Sequence, residues 1–198
     1  MEDIKLYTVD NDYIQYLRIN VSEHVFANQD PVYKHTRKYL GVVLTINDYR
    51  YYAPLSSPKN SDYFVDENGK KIIRKSIIPI IRMVESDITG KKTLLGTIKL
   101  SNMIPVPQGQ LVLYNPDLEE DSHYKDLVEK EIRYINRHTP EILKNANVLY
   151  KQKKGGKQIN YLSSTLDFSA LESAHDAFSS KAMERVDDSD KKENNEEI

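Results

Sequence analysis

Cysteine is absent from all 198 residues. No disulfide framework can form, and thiol catalysis and cysteine-based zinc or iron–sulfur sites are excluded. A cysteine-free chain suits a reducing cytosol, so a cytoplasmic protein is expected. Long apolar runs are missing as well. The longest, Ile77 to Ile81, falls far short of the roughly 20 residues a membrane helix needs. The opening Met1-Glu2-Asp3-Ile4-Lys5 has no basic segment followed by an apolar one, so neither a membrane span nor a secretory leader is expected. P-loop, GxGxxG, zinc-deaminase and Ser-His-Asp signatures are all absent. The five histidines, at 24, 35, 123, 138 and 175, form no HxxxH pair, and no carboxylate cluster suggests a two-metal site. No metal and no cofactor are expected.

Tyrosine is abundant: 14 Tyr stand against 4 Phe and no Trp. Rings that pack in half-buried strand positions with wet hydroxyls explain such a composition. So does a surface that stacks on RNA bases, and composition alone leaves both readings open. The formal charge of -2 comes from 28 basic and 30 acidic residues. Residues 185–198 hold three of the bases and six of the acids, which leaves 25 against 24. A nearly neutral body can still carry a basic face. The charged end offers too little apolar surface to fold, so residues 1–180 are read as one domain and 181–198 as a disordered tail.

The N-terminal half reads as strands. Lys5-Leu6-Tyr7-Thr8-Val9 alternates, and Asp10 or Asn11 caps a short helix over residues 12–19. Residues 21–38 have no period and form a long loop. Residues 40–46 and 49–55 are strands joined at Asn47-Asp48, a pair that tolerates positive φ. A turn or irregular hairpin is expected at Glu67-Asn68-Gly69. Residues 76–84 form a strand that Pro79 places at an edge or gives a bulge, residues 93–100 form another strand, and residues 103–107 are extended. The period then changes. Residues 122–138 carry a helical stripe, Pro140 ends it and opens a second helix to residue 152, Gly155-Gly156 stops that one, and Asp167 caps a last helix through Phe178. The sum is an α+β fold, a twisted antiparallel sheet with helices added mostly at the C-terminal side.

Ser56-Ser57-Pro58-Lys59 follows the end of a strand. Two hydroxyls, backbone N–H groups and an ammonium on a proline-fixed turn suit one bound anion. The same four residue types also make ordinary solvent turns. Lys151-Gln152-Lys153-Lys154-Gly155-Gly156-Lys157 ends a helix as the densest basic stretch. It reads either as an RNA-backbone patch or as charge that complements the helix dipole.

Several segments resemble one family in order along the chain. Lys5-Leu6-Tyr7-Thr8-Val9 and Tyr13-Ile14-Gln15-Tyr16-Leu17 are similar to the opening of the ToxN/AbiQ toxins of type III toxin–antitoxin systems. Asp30-Pro31-Val32-Tyr33, Tyr39-Leu40-Gly41-Val42-Val43, Tyr52-Ala53-Pro54-Leu55-Ser56-Ser57-Pro58-Lys59, Asn102-Met103-Ile104-Pro105-Val106-Pro107 and Leu166-Asp167-Phe168-Ser169-Ala170-Leu171-Glu172 continue the match. It runs over residues 5–178, and CptN-type members look nearest.

The resemblance implies a Kid/MazF-like, SH3-like barrel core and a metal-independent endoribonuclease that leaves 2′,3′-cyclic phosphate and 5′-hydroxyl ends. It implies a repeated pseudoknot RNA antitoxin, processed by the toxin and bound with it in a closed ring, and a role in aborting phage infection. Cellular and phage RNAs are the implied substrates, with no DNA and no membrane. Carried over by position, Tyr33, Ser56, Ser57 and Lys59 are the catalytic group. Tyr13 and Arg37 are RNA-binding residues, to which the basic stretch adds Lys151, Lys153, Lys154 and Lys157. Ser56 departs from the family, where Thr is common, but keeps the hydroxyl. The charged end after Ser180 exceeds the usual family length. Such products require attack by the substrate's 2′-OH, which DNA lacks. A lysine ammonium is charged at neutral pH, so Lys59 is expected to stabilise the phosphate as a cation. The competing readings are a MazF-like ribonuclease toxin with a protein antitoxin, a non-catalytic RNA-binding module and a Tyr-rich interaction protein.

Overall fold

The computed structural model describes residues 4–28 and 35–193, with side chains as far as Ser180. In chain order the elements are β1 (Lys5–Val9), α1 (Asn11–Asn20), β2 (Tyr39–Ile46), β3 (Tyr49–Ser56), β4 (Tyr63–Val65), β5 (Lys71–Ile73), β6 (Ile80–Ser86), β7 (Lys92–Lys99), β8 (Ile104–Pro105), β9 (Leu111–Leu113), α2 (Ser122–Lys154) and α3 (Phe168–Glu193). The main sheet runs β6-β7-β3-β2-β1-β9, with β8 on β3, while β4 and β5 form a separate two-stranded sheet. These pairings are antiparallel. The expected α+β class holds: an antiparallel sheet with three helices.

Local signals place most of these elements. Asp10 accepts from the N–H groups of Asp12 at 2.8 Å and Tyr13 at 3.3 Å, capping α1. Asn47 and Asp48 have φ of 47° and 68°, the left-handed pair that a tight β2–β3 turn needs. β6 begins directly after Pro79 and lies at the sheet edge, where a missing N–H costs no ladder bond. No periodic signal marks β9. It is three residues long and pairs with β1 through Tyr7↔Leu113 to Val9↔Leu111.

The helical expectation fails at Pro140. One 33-residue helix, α2, spans both predicted pieces, with Pro140 inside it. Proline removes a hydrogen bond and costs about 3 kcal/mol in a helix interior. The buried face of α2 continues in phase across it, through Val128, Ile135, Thr139, Ile142, Ala146 and Leu149. At about 1.5–3 kcal/mol for each fully buried aliphatic side chain, that face outweighs the break. Thr139 Oγ1 also donates to the Ile135 carbonyl at 3.0 Å. The last helix likewise continues past Phe178, to Glu193.

The tyrosines build the interior. Tyr13, Tyr39, Tyr51, Tyr52 and Tyr150 are buried, and four of their hydroxyls donate to protein oxygens. Tyr13 donates to the Pro105 carbonyl at 2.7 Å, Tyr39 to that of Phe26 at 3.2 Å, and Tyr51 and Tyr150 to Glu172 at 2.8 and 2.6 Å. These partners make ring burial favourable. Gly41 is required by the same packing. A methyl there would collide with the Tyr52 ring, which in turn meets Tyr7 edge-on. Gly41→Ala is expected to lower the unfolding free energy by about 1–3 kcal/mol, measured by urea denaturation. An unchanged midpoint would show that the ring can step aside.

Among the described residues, no helix is long and apolar enough to cross a membrane.

Candidate functional site

β3 sets the position of the site. Its first part pairs with β2 and β8, and its last residues cross to β7 through Leu55↔Ile98 and Ser56↔Thr97. The chain therefore delivers Ser56 and Ser57 where the two halves of the sheet meet. Ser56 is buried and Ser57 is exposed. The Thr97 hydroxyl lies 3.4 Å from the Ser56 carbonyl.

The following turn is locked from beneath. Lys59 N–H donates to Asp62 Oδ2 at 2.9 Å, and Asp62 N–H returns to the Lys59 carbonyl at 2.9 Å. Asp62, only 1% exposed, takes two contacts on its other oxygen from Arg82, both at 3.1 Å. Arg82 Nη1 also donates to the Lys75 carbonyl at 2.8 Å. The backbone of Lys59 is thus fixed by a buried ion pair, while its side chain points out to solvent.

Two hollows meet here. A pocket of about 190 Å³ is lined by Ser56, Ser57 and Lys59 together with Asn28, His35, Arg37, Lys38, Tyr124 and Glu131. A more open groove of about 720 Å³ is lined by Arg18, His24, Phe26, Asn102, Ser163 and Ser164, and again by Arg37 and Lys59. Arg37 and Lys59 therefore stand on the divide between them. Arg37 is braced: Nε donates to the Ala27 carbonyl at 3.0 Å, Nη1 to the Leu55 carbonyl at 2.9 Å, and the guanidinium lies 4.7 Å from the Phe26 ring centre. It pins the loop to β3 one residue before Ser56.

Of the sequence candidates, Ser56, Ser57, Lys59 and Arg37 come together. Tyr33 lies outside the described residues. Tyr13 does not join them. It is fully buried, packed against Phe178, with its hydroxyl committed to Pro105. Burial pushes that hydroxyl well above the ordinary phenol range. Tyr13 is a core residue, and its assignment to RNA binding is withdrawn. Lys153 and Lys154 also have partners within the protein: Lys153 donates to the Leu162 carbonyl at 2.8 Å, and Lys154, itself exposed, to Ser169 at 2.9 Å and Glu172 at 2.8 Å. They tie α2 to the segment after it. Lys151 and Lys157 are exposed.

Sequence reasoning passes over several site residues. Lys38 is buried, donates to the Thr36 carbonyl at 3.1 Å and lies 4.3 Å over the Tyr114 ring. Burial lowers its pKa, against an opposing pull from Glu119. Its place beside Arg37 in the chain is the available signal. His35 stacks on Tyr124 at 3.8 Å and lies 3.5 Å from Asp121. Asn28 donates Nδ2 to the Val9 carbonyl at 2.7 Å, and among the described residues its buried Oδ1 has no hydrogen-bond partner. Beyond Lys59, the β4–β5 hairpin exposes Lys70, Lys71, Arg74 and Lys75. Lys71 lies over Tyr63 at 4.1 Å and Arg74 over Phe64 at 5.7 Å. Among the described residues, no three His, Asp or Glu side chains form a metal-binding group.

A cationic turn, two serine hydroxyls and a basic groove are the parts expected of an RNA-handling site. The sequence pattern of the toxin ToxN of type III toxin–antitoxin systems matches residues 5–176. The chain belongs to the ToxN family. The collinear resemblance read from its segments is thereby confirmed. Relatives include the endoribonuclease AbiQ of Lactococcus lactis subsp. lactis, 30% identical over 90% of this chain and 91% of that protein. The endoribonuclease ToxN of Pectobacterium atrosepticum is 26% identical over 90% of this chain and 96% of that one. A chain solved in work on a processed non-coding RNA that regulates a bacterial antiviral system superposes with a TM-score of 0.71. It is 27% identical and covers 86% of this chain and 96% of its own. Against these ToxN-family proteins the antiparallel sheet and helices described above are the shared fold.

Proposed function

We propose that this chain is the endoribonuclease toxin of a type III system, cutting RNA without metal by attack of the substrate's 2′-OH. The observation that carries this is the convergence of Ser56, Ser57, Arg37 and Lys59 on one pocket, in a chain of this family. Ser57 and Ser56 supply hydroxyls to the phosphate oxygens. Lys59 supplies a positive charge where negative charge grows in the transition state. Arg37 holds the strand end in register and contributes charge. Tyr33 takes the remaining place in the catalytic group, orienting the phosphate or assisting proton transfer. The products are 2′,3′-cyclic phosphate and 5′-hydroxyl ends, and DNA is not cut.

The partner in this reading is a small repeated RNA folded as pseudoknots, which the toxin trims and then holds in a closed ring in the cytoplasm. Release exposes cellular and phage RNAs to cleavage and aborts infection. The relatives named as endoribonucleases and the non-coding RNA of the structural neighbour support it. We read the sheet as the twisted core of the Kid/MazF type, residues 1–180 as the working unit and 181–198 as dispensable. The deciding experiment incubates purified protein with total RNA in EDTA and identifies the new ends. Cyclic phosphate and 5′-hydroxyl ends are expected. No cleavage, or 5′-phosphate ends that need metal, would overturn the reading.

The exposed β4–β5 hairpin extends the basic surface away from Lys59. Lys71→Glu with Arg74→Glu is expected to weaken binding of long RNA several-fold. The dependence of log Kd on log salt should fall by about 0.7–0.9 for each phosphate no longer neutralised. Both substitutions lie at exposed positions, so stability should be unchanged. An unaltered salt slope would remove the hairpin from the RNA path.

A further inference from the structure

We propose that Glu131 is the group that protonates the leaving 5′-oxygen as the RNA is cut. The assignment rests on the ribonuclease reading above.

Glu131 sits on the buried face of α2, between Val128 and Ile135. It is 7% exposed and, among the described residues, has neither a hydrogen bond nor an ion pair. The residue is buried, while its carboxyl oxygens open onto the pocket and are not sealed in the core. An acid on an otherwise apolar helix face, opening onto a pocket, is placed to give a proton to what binds there. The fold makes room for it. A methyl at Gly96 would collide with Glu131 Oε1 and would lie 3.2 Å from the Ser56 carbonyl. The missing side chain at Gly96 therefore lets the carboxyl come down onto the sheet beside Ser56. Glu131 then shares the wall of the pocket with Ser56, Ser57 and Lys59.

The protonation state fits the role. Burial pushes the carboxyl up to about 8, so it is mostly protonated at neutral pH, as a proton donor must be. Among the described residues, the titratable groups that share its pocket are Tyr124 on its own helix, His35, Arg37 and Lys38 from the loop, and Lys59 from the turn. On the sheet side the carboxyl meets Gly96, which carries no charge.

In the cleavage step the 2′-oxygen bonds to phosphorus and its proton passes to water. The bond from phosphorus to the 5′-oxygen breaks, with both electrons leaving on that oxygen. The 5′-oxygen takes the Glu131 proton, and the carboxylate recovers a proton from solvent. Ser57 and Lys59 bear the charge on the phosphate meanwhile.

Glu131→Gln keeps shape and removes the titrating proton. Single-turnover cleavage of one RNA oligonucleotide in EDTA is expected to slow by about 10²–10³-fold. The wild-type rate should fall as pH rises through about 8, and that fall should be missing in the variant. An oligonucleotide whose 5′-bridging oxygen is replaced by sulfur, which leaves without a proton, should restore the variant to within about tenfold of wild type. Ser57→Ala should stay slow on that substrate. A stability readout follows as well. The unfolded chain loses this proton in the ordinary carboxyl range while the folded chain keeps it to about 8. Wild-type stability therefore declines with rising pH across that window, and Glu131→Gln should be the more stable protein at pH 8.

A variant that cleaves ordinary RNA within threefold of wild type overturns the assignment, and so does a deficit that sulfur leaves unchanged. A retained rate with a changed cleavage sequence makes Glu131 a base-reading residue and equally overturns it. If the wild-type protein itself does not cut in EDTA, the ribonuclease reading fails first. If wild type cuts and only the Glu131 results disagree, that reading stands.

Discussion

Lys59→Ala and Ser57→Ala are each expected to slow single-turnover RNA cleavage by about 10²–10³-fold, the cost of removing one preorganised charge-stabilising group. Both side chains are exposed, and among the described residues neither makes a side-chain hydrogen bond that holds the fold, since Lys59 is anchored through its backbone. Unfolding free energy should therefore move by less than about 0.5 kcal/mol. Affinity for a long RNA should change only a few-fold, because the groove and the hairpin remain.

Lys59→Arg separates the two roles open to this lysine. Arginine keeps the charge and cannot deprotonate in a protein. If Lys59 acts as a cation, Lys59→Arg retains cleavage to within about tenfold of wild type, with the loss reflecting the bulkier fork. A Lys59→Arg protein that binds RNA but is as inactive as Lys59→Ala would instead make Lys59 a base. Ser56→Thr keeps the hydroxyl at this buried position and adds one methyl. A rate close to wild type is expected there.

How much of this is legible in the sequence depends on the range of the causes. The Asn47-Asp48 turn, the Asp10 cap and the edge position of β6 follow from rules that act over a few residues. Each is readable for that reason. Pro140 obeys such a rule too, yet a packed helix face extending on both sides overrides it. Tyr13 is misassigned from sequence because resemblance transfers a position without its burial. Lys153 and Lys154 read as a surface patch because Glu172 and the Leu162 carbonyl, their partners, are remote or irregular in sequence.

The site shows the same division. Ser56, Ser57 and Lys59 stand together in the chain and can be marked as a unit, although four turn residues alone leave a solvent loop open. Lys38 and Glu131 come from a loop and a helix that meet this turn only in the folded protein. For Glu131 one local sign exists: an acid on an apolar helical stripe. Asp62 and Arg82 have none, being 20 residues apart on segments whose pairing no periodicity announces.

That ion pair leads to the second large effect. Asp62→Ala is expected to destabilise the protein by about 3–5 kcal/mol, because it strands the Arg82 guanidinium in a site only 6% exposed. It also removes the acceptor of the Lys59 N–H. The two losses can be told apart. Replacing both partners with apolar residues of similar volume, Asp62→Leu with Arg82→Met, removes the buried charge altogether, and such swaps are often neutral for stability. The double variant should therefore regain most of the unfolding free energy lost in Asp62→Ala. It cannot regain the hydrogen bond that fixes the Lys59 backbone. A shift of about 1 Å in a positioned group costs on the order of 10²-fold in rate, so cleavage by the double variant should stay about 10²-fold below wild type. Stability measured by denaturation and single-turnover rate should then diverge. If activity returns together with stability, the pair serves the fold alone. If stability returns and activity does not, a buried charge pair that is costly to desolvate persists at this place because it aims Lys59 at the phosphate.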